Sequence, residues 1–145
     1  MNKNILLVDD DEDDRMFFHQ AIEEIDSNIH FESRSNGLTA LEYLESCSSL
    51  PDALFLDINM PILDGFSCLK RLRSNVIFDA IPVIMFSTSY SPETALKLKE
   101  AGADFYIKKP NSFIELKILL KKALGLLQHQ NLTSKNNNYF LITNE

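Results

Sequence analysis

Short apolar runs alternate with helical patterns along most of this chain. Three of these runs, at 5–8, 53–56 and 83–86, are bounded by turn or polar residues and have the length of strands that are buried on both faces. Residues 104–107 are predicted to be a further short strand. Residues 28–33 instead alternate apolar and polar positions, which is typical of a half-buried edge strand.

Between the strands, apolar residues recur at helical spacing. The predicted helices span 13–25, 38–47, 66–74, 92–101 and 112–127. We expect the first helix to bury Met16, Phe17, Ala21, Ile22 and Ile25. The fourth helix has the clearest start, because Ser91 can cap it and Pro92 fits its first position. Five strands alternating with five helices predict an α/β fold, a doubly wound parallel sheet with helices on both faces.

Length, charge and cysteine content narrow the class of protein. A chain of 145 residues can form one domain, which we assign to 1–128, and 129–145 is predicted to be a polar C-terminal extension. Within that extension, the apolar run 139–142 is of a kind that docks on a surface or pairs with a sheet edge. The net charge of −7 argues against direct binding of nucleic acid. Cys47 and Cys68 lack a CxxC spacing, so we expect neither a disulfide nor a metal role for them.

No apolar run in the sequence has the length of a membrane span, and the first residues do not have the pattern of a signal peptide. We therefore expect a cytoplasmic protein with no membrane partner.

Polar residues that can do chemistry follow four of the predicted strands. Asp9 and Asp10 follow the first strand, Asp57 the third, Ser87 the fourth and Lys109 the fifth. The carboxyl ends of parallel strands share one edge of the sheet, and that edge is where α/β sheets bind ligands. The sequence therefore predicts a pocket that holds three carboxylates, one hydroxyl and one ammonium.

Three carboxylates in one pocket stay ionised cheaply only when a cation lies among them. The pattern offers oxygen ligands alone, which favours a hard cation such as Mg²⁺. A calcium loop counted from Asp9 fails, because its sixth and twelfth positions hold Asp14 and Gln20. A metal, a lysine and a hydroxyl around Asp57 are suited to phosphoryl transfer, in which Asp57 is the nucleophile and an aspartyl phosphate forms.

Four motifs together resemble the receiver domain of two-component response regulators, including the chemotaxis type. The motifs are Val8-Asp9-Asp10, Asp57-Ile58-Asn59-Met60-Pro61 with Asp64-Gly65, Ser87-Thr88, and Tyr106 with Lys109-Pro110. The resemblance covers residues 3–127 and implies a flavodoxin-like sheet with strand order 2-1-3-4-5.

The resemblance also implies roles for the acidic residues. Asp57 would be the phosphoacceptor, supplied by a sensor histidine kinase or a histidine phosphotransfer protein. Asp10 and Asp57 would bind Mg²⁺ directly together with the backbone carbonyl of Asn59, and Asp9 would act through water.

Other roles follow from the same resemblance. Lys109 would contact the phosphoryl group, and its peptide bond to Pro110 is expected to be cis. Ser87 and Tyr106 would form the switch, in which the hydroxyl moves toward the phosphoryl group and the ring turns inward.

Three neighbouring residues are expected to tune the site. Thr88 is larger than the residue usual at that position of the family, and Asn59 and Ser89 flank the approach of water. Two alternatives stay open. The first is a Mg²⁺-dependent phosphatase or phosphotransferase with an aspartyl nucleophile, although Asn59 stands where such enzymes commonly need an acid. The second is a pseudo-receiver that works without phosphorylation.

No output domain follows residue 127, so we expect a stand-alone receiver that is not an enzyme beyond its own phosphorylation and dephosphorylation. The core-facing stripe of the last helix is predicted to be Phe113, Leu116, Leu120, Ala123 and Leu127. Ile114 and Ile118 are left on a neighbouring face, one turn apart. We expect a homodimer or partner interface on the fourth helix, fifth strand and fifth helix.

Overall fold

The computed structural model describes residues 3–128 and 140–144. Of the predicted extension over 129–145, only 140–144 fall within these ranges, and the rest lies outside the described residues. The division into a domain of 1–128 and an extension stays a prediction. Within the described ranges, no helix combines the length and the apolar character that a membrane crossing requires.

Five strands and five helices alternate through the described residues. The strands are β1 (Asn4–Val8), β2 (His30–Arg34), β3 (Ala53–Leu56), β4 (Val83–Ser87) and β5 (Phe105–Lys108). The helices are α1 (Glu12–Ile25), α2 (Gly37–Ser46), α3 (Gly65–Arg73), α4 (Pro92–Glu100) and α5 (Phe113–Gln128). All strand pairs are parallel, and their order is β2-β1-β3-β4-β5, so the predicted fold class and strand order are confirmed.

The boundary of β2 is the clearest difference from the prediction, since the strand begins at His30 rather than at residue 28. The reason is a turn after α1, in which the Asn28 backbone N–H donates to the Asp26 carboxylate at 3.0 Å. The start of α4 agrees with the prediction, because the side chain of Ser91 caps it and Pro92 lies in its first turn.

Two apolar clusters sandwich the sheet, and this is why the strand runs are continuous rather than alternating. Successive residues of β1 show it: Leu6 packs with α2, α3 and α4, whereas Ile5 packs with α1 and α5. Both side chains are buried. Side chains of a strand point alternately to opposite faces, so covering both faces leaves no polar position inside the central strands.

The buried face of α1 differs from the predicted one. Ala21 and Ile22 are buried as expected, but Met16 and Phe17 are 57% and 47% exposed. Phe18 takes their place, with its ring edge-on to other core aromatic rings. Phe18 lies three residues before Ala21 and four before Ile22, whereas Phe17 has helical spacing to Ala21 only and Met16 to neither.

Helix α5 also buries a slightly different set from the predicted stripe. Its buried residues are Leu116, Leu119, Leu120, Ala123 and Leu124. Phe113 and Leu127, which we expected in the stripe, are only partly buried against the core. Ile114 and Ile118 are 70% and 40% exposed, as the sequence predicted.

The 140–144 segment lies along the edge of β5. The Tyr106 N–H donates to the Phe140 carbonyl, and the Ile142 N–H donates to the Tyr106 carbonyl, both at 2.8 Å. Leu141 therefore pairs with Tyr106 in a parallel bridge beyond the fifth strand. The expectation that the 139–142 run can pair with a sheet edge is confirmed for its described residues, while Tyr139 lies outside them.

Candidate functional site

Four strand ends position the candidate residues at one edge of the sheet. Asp9 and Asp57 directly follow β1 and β3, Ser87 ends β4, and Lys109 directly follows β5. Backbone hydrogen bonds continue the strand pairing to these residues, from Asp57 N to Val8 O at 2.9 Å and from Lys109 N to Ser87 O at 2.8 Å. The parallel pairing therefore brings together residues that are up to 100 positions apart in the sequence.

A glycine allows the loop after β3 to close beneath Asp57. A Cβ atom on Gly65 would lie 2.1 Å from the carbonyl oxygen of Asp57, so no other residue fits this position without moving the backbone. The Gly65 N–H donates to the Ile58 carbonyl at 2.8 Å, and the Asp64 side chain caps α3. The Asp64-Gly65 pair thus sets the shape of the loop that holds the central carboxylate.

The ammonium of Lys109 lies at the centre of the pocket. Its Nζ atom is 2.8 Å from Asp9 Oδ2, 2.8 Å from Asp14 Oδ2 and 3.3 Å from Asp57 Oδ2. The lysine side chain is only 9% exposed. Burial alone would disfavour the charged lysine, but the hydrogen bonds and ion pairs with Asp14 and Asp9 outweigh burial and raise its pKa.

Asp14 is a pocket residue that the sequence analysis did not single out. It lies in the first turn of α1, whose N-cap is Asp11, and its side chain reaches back to Lys109. The sequence feature that could have indicated Asp14 is the acidic run at 9–14, which contains more carboxylates than the start of one helix needs.

The carboxylates of the pocket are held close together and partly out of water. One oxygen from each of Asp9, Asp10 and Asp57 lies within 4.8 Å of the others. Burial raises the pKa of Asp9 to about 6 and also raises the pKa of Asp57, and Lys109 only partly opposes this. Asp10 is exposed. The pocket therefore has an excess of negative charge that a cation would relieve.

The residues present fit a hard divalent cation. All three candidate ligands are carboxylates, and Asp9 Oδ2 is buried without a hydrogen bond of normal geometry, although the Lys109 ammonium is near it. Oxygen ligands with one exposed side for water are the arrangement in which proteins bind Mg²⁺. Asp9, Asp10 and Asp57 could hold such an ion.

Ser87 and Tyr106 lie beside the charged cluster. The Ser87 hydroxyl is buried and has no hydrogen-bond partner of normal geometry in the described residues. Tyr106 is fully buried, and its hydroxyl donates to the backbone carbonyl of Ser89. The Tyr90 ring stands edge-on to the Tyr106 ring, with 5.2 Å between centroids. The loop after β4 therefore contacts Tyr106 through this hydrogen bond and through the Tyr90 ring.

Residues named as tuning positions lie on exposed loops around the pocket. These are Asn59, Thr88 and Ser89. The expected cis bond between Lys109 and Pro110 is wrong, because the described residues contain no cis peptide bond. The two isomers of a bond before proline differ by only about 0.5–1 kcal/mol, so the isomer does not follow from the residue pair alone.

Comparisons with known proteins agree with this geometry. The family model described as the response regulator receiver domain matches residues 5–121. The sensor histidine kinase CheAY of Helicobacter pylori is 29% identical over 122 residues, which cover 84% of this chain and 15% of that protein. The chain spans 15%, 25% and 33% of the length of three of the curated relatives it matches.

Solved structures share the fold. The phosphorylated cyanobacterial phytochrome response regulator RcpA superposes with a TM-score of 0.82 at 24% identity, covering 92% of this chain and 99% of RcpA. The Mn²⁺-bound form of the response regulator Rcp1 has a TM-score of 0.73 at 25% identity, covering 86% of this chain and 91% of that one.

Proposed function

The chain belongs to the response regulator receiver domain family of two-component signalling, and on this basis we propose that Asp57 accepts a phosphoryl group from a histidine kinase or a histidine phosphotransfer protein. In the transfer, a carboxylate oxygen of Asp57 attacks phosphorus, a P–O bond forms, and the P–N bond to the donor histidine breaks. The imidazole leaves with the electron pair of that bond. The product is an aspartyl phosphate.

One observation carries this proposal. Asp57 shares its pocket with two further carboxylates and a buried ammonium, at the carboxyl edge of a parallel sheet. Phosphoryl transfer depends mainly on positioning and on neutralising charge, and this pocket offers both. The Ser87 hydroxyl is buried beside the Tyr106 hydroxyl without a hydrogen bond of normal geometry, so it is available as a further donor.

Each residue has a proposed task. We propose that Asp10 and Asp57, with the backbone carbonyl of Asn59, hold Mg²⁺ directly and that Asp9 acts through water. The ion would supply positive charge to the phosphoryl oxygens. Lys109 pairs with one of those oxygens and draws away from its present carboxylate partners, while the Ser87 hydroxyl donates to another.

Ser87 and Tyr106 form the proposed switch. A phosphoryl oxygen would attract the Ser87 hydroxyl, which lies beside the Tyr106 hydroxyl, and would shift the loop after β4. The hydroxyl of Tyr106 already binds the Ser89 carbonyl of that loop, so a loop shift changes the position of the ring. Phosphorylation would thereby favour one of two arrangements of the loop and ring.

The output of the switch is proposed to be a protein contact on the face of α4, β5 and α5, to which α4 and α5 contribute the exposed residues, because the 140–144 segment already pairs with the edge of β5. Leu96, Ile114 and Ile118 are 56%, 70% and 40% exposed, and they give this face an apolar character. The net charge of −7 opposes nucleic acid as the partner. A second copy of the chain is the simplest occupant. Light scattering with and without phosphorylation tests it, since a monomer in both states would contradict a homodimer.

The first experiment is an intact-mass measurement after adding acetyl phosphate and Mg²⁺, with Asp57→Asn as the control. We expect one phosphoryl group on the wild-type chain, and none on the variant or without the metal. No adduct, with Mg²⁺ still bound, would contradict the proposal. Release of free phosphate would then separate a phosphatase, which turns over, from a pseudo-receiver, which does not react.

A further inference from the structure

The 140–144 segment is bound tightly to the edge of β5. Phe140 and Ile142 are 8% and 6% exposed, and two backbone hydrogen bonds join the segment to Tyr106. The Lys122 ammonium of α5 donates to the Thr143 carbonyl at 2.6 Å. These contacts combine strand pairing, apolar burial and a charged hydrogen bond in a segment of five residues.

The segment contacts both faces of the sheet. Phe140 packs with the cluster that contains Tyr106, whereas Ile142 packs with the cluster on the side of α1 and α5. An open edge strand would otherwise offer unpaired N–H and C=O groups to other chains. At Tyr106 both of these groups are already used by the segment.

Tyr106 connects the segment to the candidate site. Its ring lies between two aromatic neighbours, Tyr90 at 5.2 Å and Phe140 at 6.2 Å between centroids. Its hydroxyl binds the Ser89 carbonyl in the loop that follows Ser87. A ring that left this buried position would have to displace the Phe140 side chain or lose contact with it.

We propose that the 140–144 segment is an internal ligand of the β5 edge, and that its docking favours the buried Tyr106 ring and thereby the phosphorylated state. This inference rests on the proposed function of Asp57. Because coupling between two sites is reciprocal, phosphorylation must tighten the docking of the segment by the same factor by which docking favours phosphorylation.

The first test measures hydrogen exchange of two amides, Tyr106 N–H and Ile142 N–H, in the full chain. Both amides exchange only when the segment undocks, because each donates across the bridge. We expect phosphorylation with acetyl phosphate and Mg²⁺ to slow exchange at both amides by about fivefold or more, the lower end of common coupling factors. Asp57→Asn should show no change.

The second test weakens the segment and examines the site. Phe140→Ala removes the side chain that touches Tyr106. We expect it to weaken the binding of beryllofluoride, a phosphoryl mimic, in the presence of Mg²⁺ by about fivefold. Thr143→Ala is the matched control, because the Thr143 side chain is exposed and only its backbone carbonyl is used. Urea unfolding of both variants checks that the domain is intact.

The outcomes separate this inference from the function on which it rests. An adduct on Asp57 with unchanged exchange at both amides would overturn the coupling and leave the function standing. No adduct on the wild-type chain would overturn both. Protection that rises with protein concentration would assign the docked segment to a second copy, and would overturn docking within one chain. Equal beryllofluoride affinity of Phe140→Ala and wild type would also overturn the coupling.

Discussion

Two charged clusters lie at opposite ends of the same sheet, and they differ in how completely their groups are paired. At the amino ends of β4 and β5, Arg73 donates to the carbonyls of Gly102 and Asp79 at 2.9 and 2.7 Å and to the Asp104 carboxylate at 3.2 Å. Asp104 also accepts from the Val83 N–H at 2.9 Å. At the carboxyl ends, one ammonium serves three carboxylates.

The backbone around the arginine is adapted to it. Gly102 has a φ angle of 112°, and a Cβ atom there would meet Arg73 Cγ at 2.7 Å. The guanidinium therefore joins the loop before β5 to the end of α3 with its donors in use. Such a cluster can stabilise a fold, but it has little capacity left to bind anything.

The groups around Lys109, namely Asp9, Asp14 and Asp57, are less completely paired than those around Arg73. This cluster has more negative than positive charge, and the pKa values of Asp9 and Asp57 are raised. The buried Ser87 hydroxyl beside it has no partner of normal geometry. Buried groups left in this state cost stability, and they are the groups that a cation and an anion would complete. In this molecule the fully paired groups around Arg73 serve the fold, whereas the partly paired groups around Lys109 are the ones proposed to bind a metal and a phosphoryl group.

Removing the Lys109 ammonium should have the largest effect on phosphorylation. We expect Lys109→Ala to slow phosphorylation of Asp57 by acetyl phosphate by about 10²–10³-fold, because a buried positive charge aimed at the phosphoryl oxygens is lost. A time course of intact mass measures the rate. Lys108→Ala is the control, since Lys108 is the exposed neighbour. A wild-type rate for Lys109→Ala would contradict a role of this ammonium in phosphorylation.

Removing the Arg73 guanidinium should lower stability without slowing phosphorylation. We expect Arg73→Ala to lower the free energy of unfolding by about 2 kcal/mol, because Asp104 and two carbonyls lose a partner in a partly exposed pair. Phosphorylation of Asp57 should proceed at the wild-type rate. Urea unfolding measures the stability, and Arg71→Ala, an exposed arginine of the same helix, is the control. A slowed phosphorylation would show that the two ends of the sheet are not independent.

Features of the fold and the site that depend on local sequence patterns could be predicted, whereas contacts between residues distant in the sequence could not. The strand runs and the Ser91-Pro92 helix start are local patterns, and the structure agrees with them. The convergence of Asp57 and Lys109 follows from topology, because parallel strand ends share an edge. No local sequence pattern shows which distant side chain a given side chain contacts, so the contact of Asp14 with Lys109 was not predicted.

The Arg73 cluster and the docked segment show the same limit. Arg73 and Asp104 are 31 residues apart, and neither has a motif that predicts the contact. The partner of the 140–144 segment was also open, because an apolar run predicts burial without naming the surface. The core face of α1 was predicted wrongly for a local reason, since Phe18 but not the adjacent Phe17 lies at helical spacing from both Ala21 and Ile22.

The stability of the protein should depend on pH through Asp9. The Asp9 carboxyl has a pKa of about 6 in the folded state and an ordinary value of 3.8, so the folded state holds its proton more tightly. The metal-free protein should therefore lose stability as pH rises from about 4 to about 6, by about 3 kcal/mol. The Asp9→Asn variant should not show this loss.

Added Mg²⁺ gives the complementary measurement. The ion binds ionised carboxylates, so it should raise the melting temperature more at pH 7.5 than at pH 5. Thermal melts of wild type and Asp9→Asn at both pH values measure this. Equal stabilisation at the two pH values would mean that the raised pKa of Asp9 does not affect metal binding.

The smallest effect is expected from the exposed loop residues around the pocket. Asn59, Thr88 and Ser89 contact solvent, so they can change the approach of water to the aspartyl phosphate without changing the paired core of the site. We expect Thr88→Ala, and Asn59→Ala combined with Ser89→Ala, to change the lifetime of the phosphoryl group by about threefold, or about 0.6 kcal/mol in barrier height. Phosphate release after removal of excess acetyl phosphate measures the lifetime. Val76→Ala, at an 89% exposed site in another loop, should leave it unchanged. If both sets of site variants also keep the wild-type lifetime, the loop side chains do not affect the rate, which is then set by Asp9, Asp10, Asp57, Ser87 and Lys109.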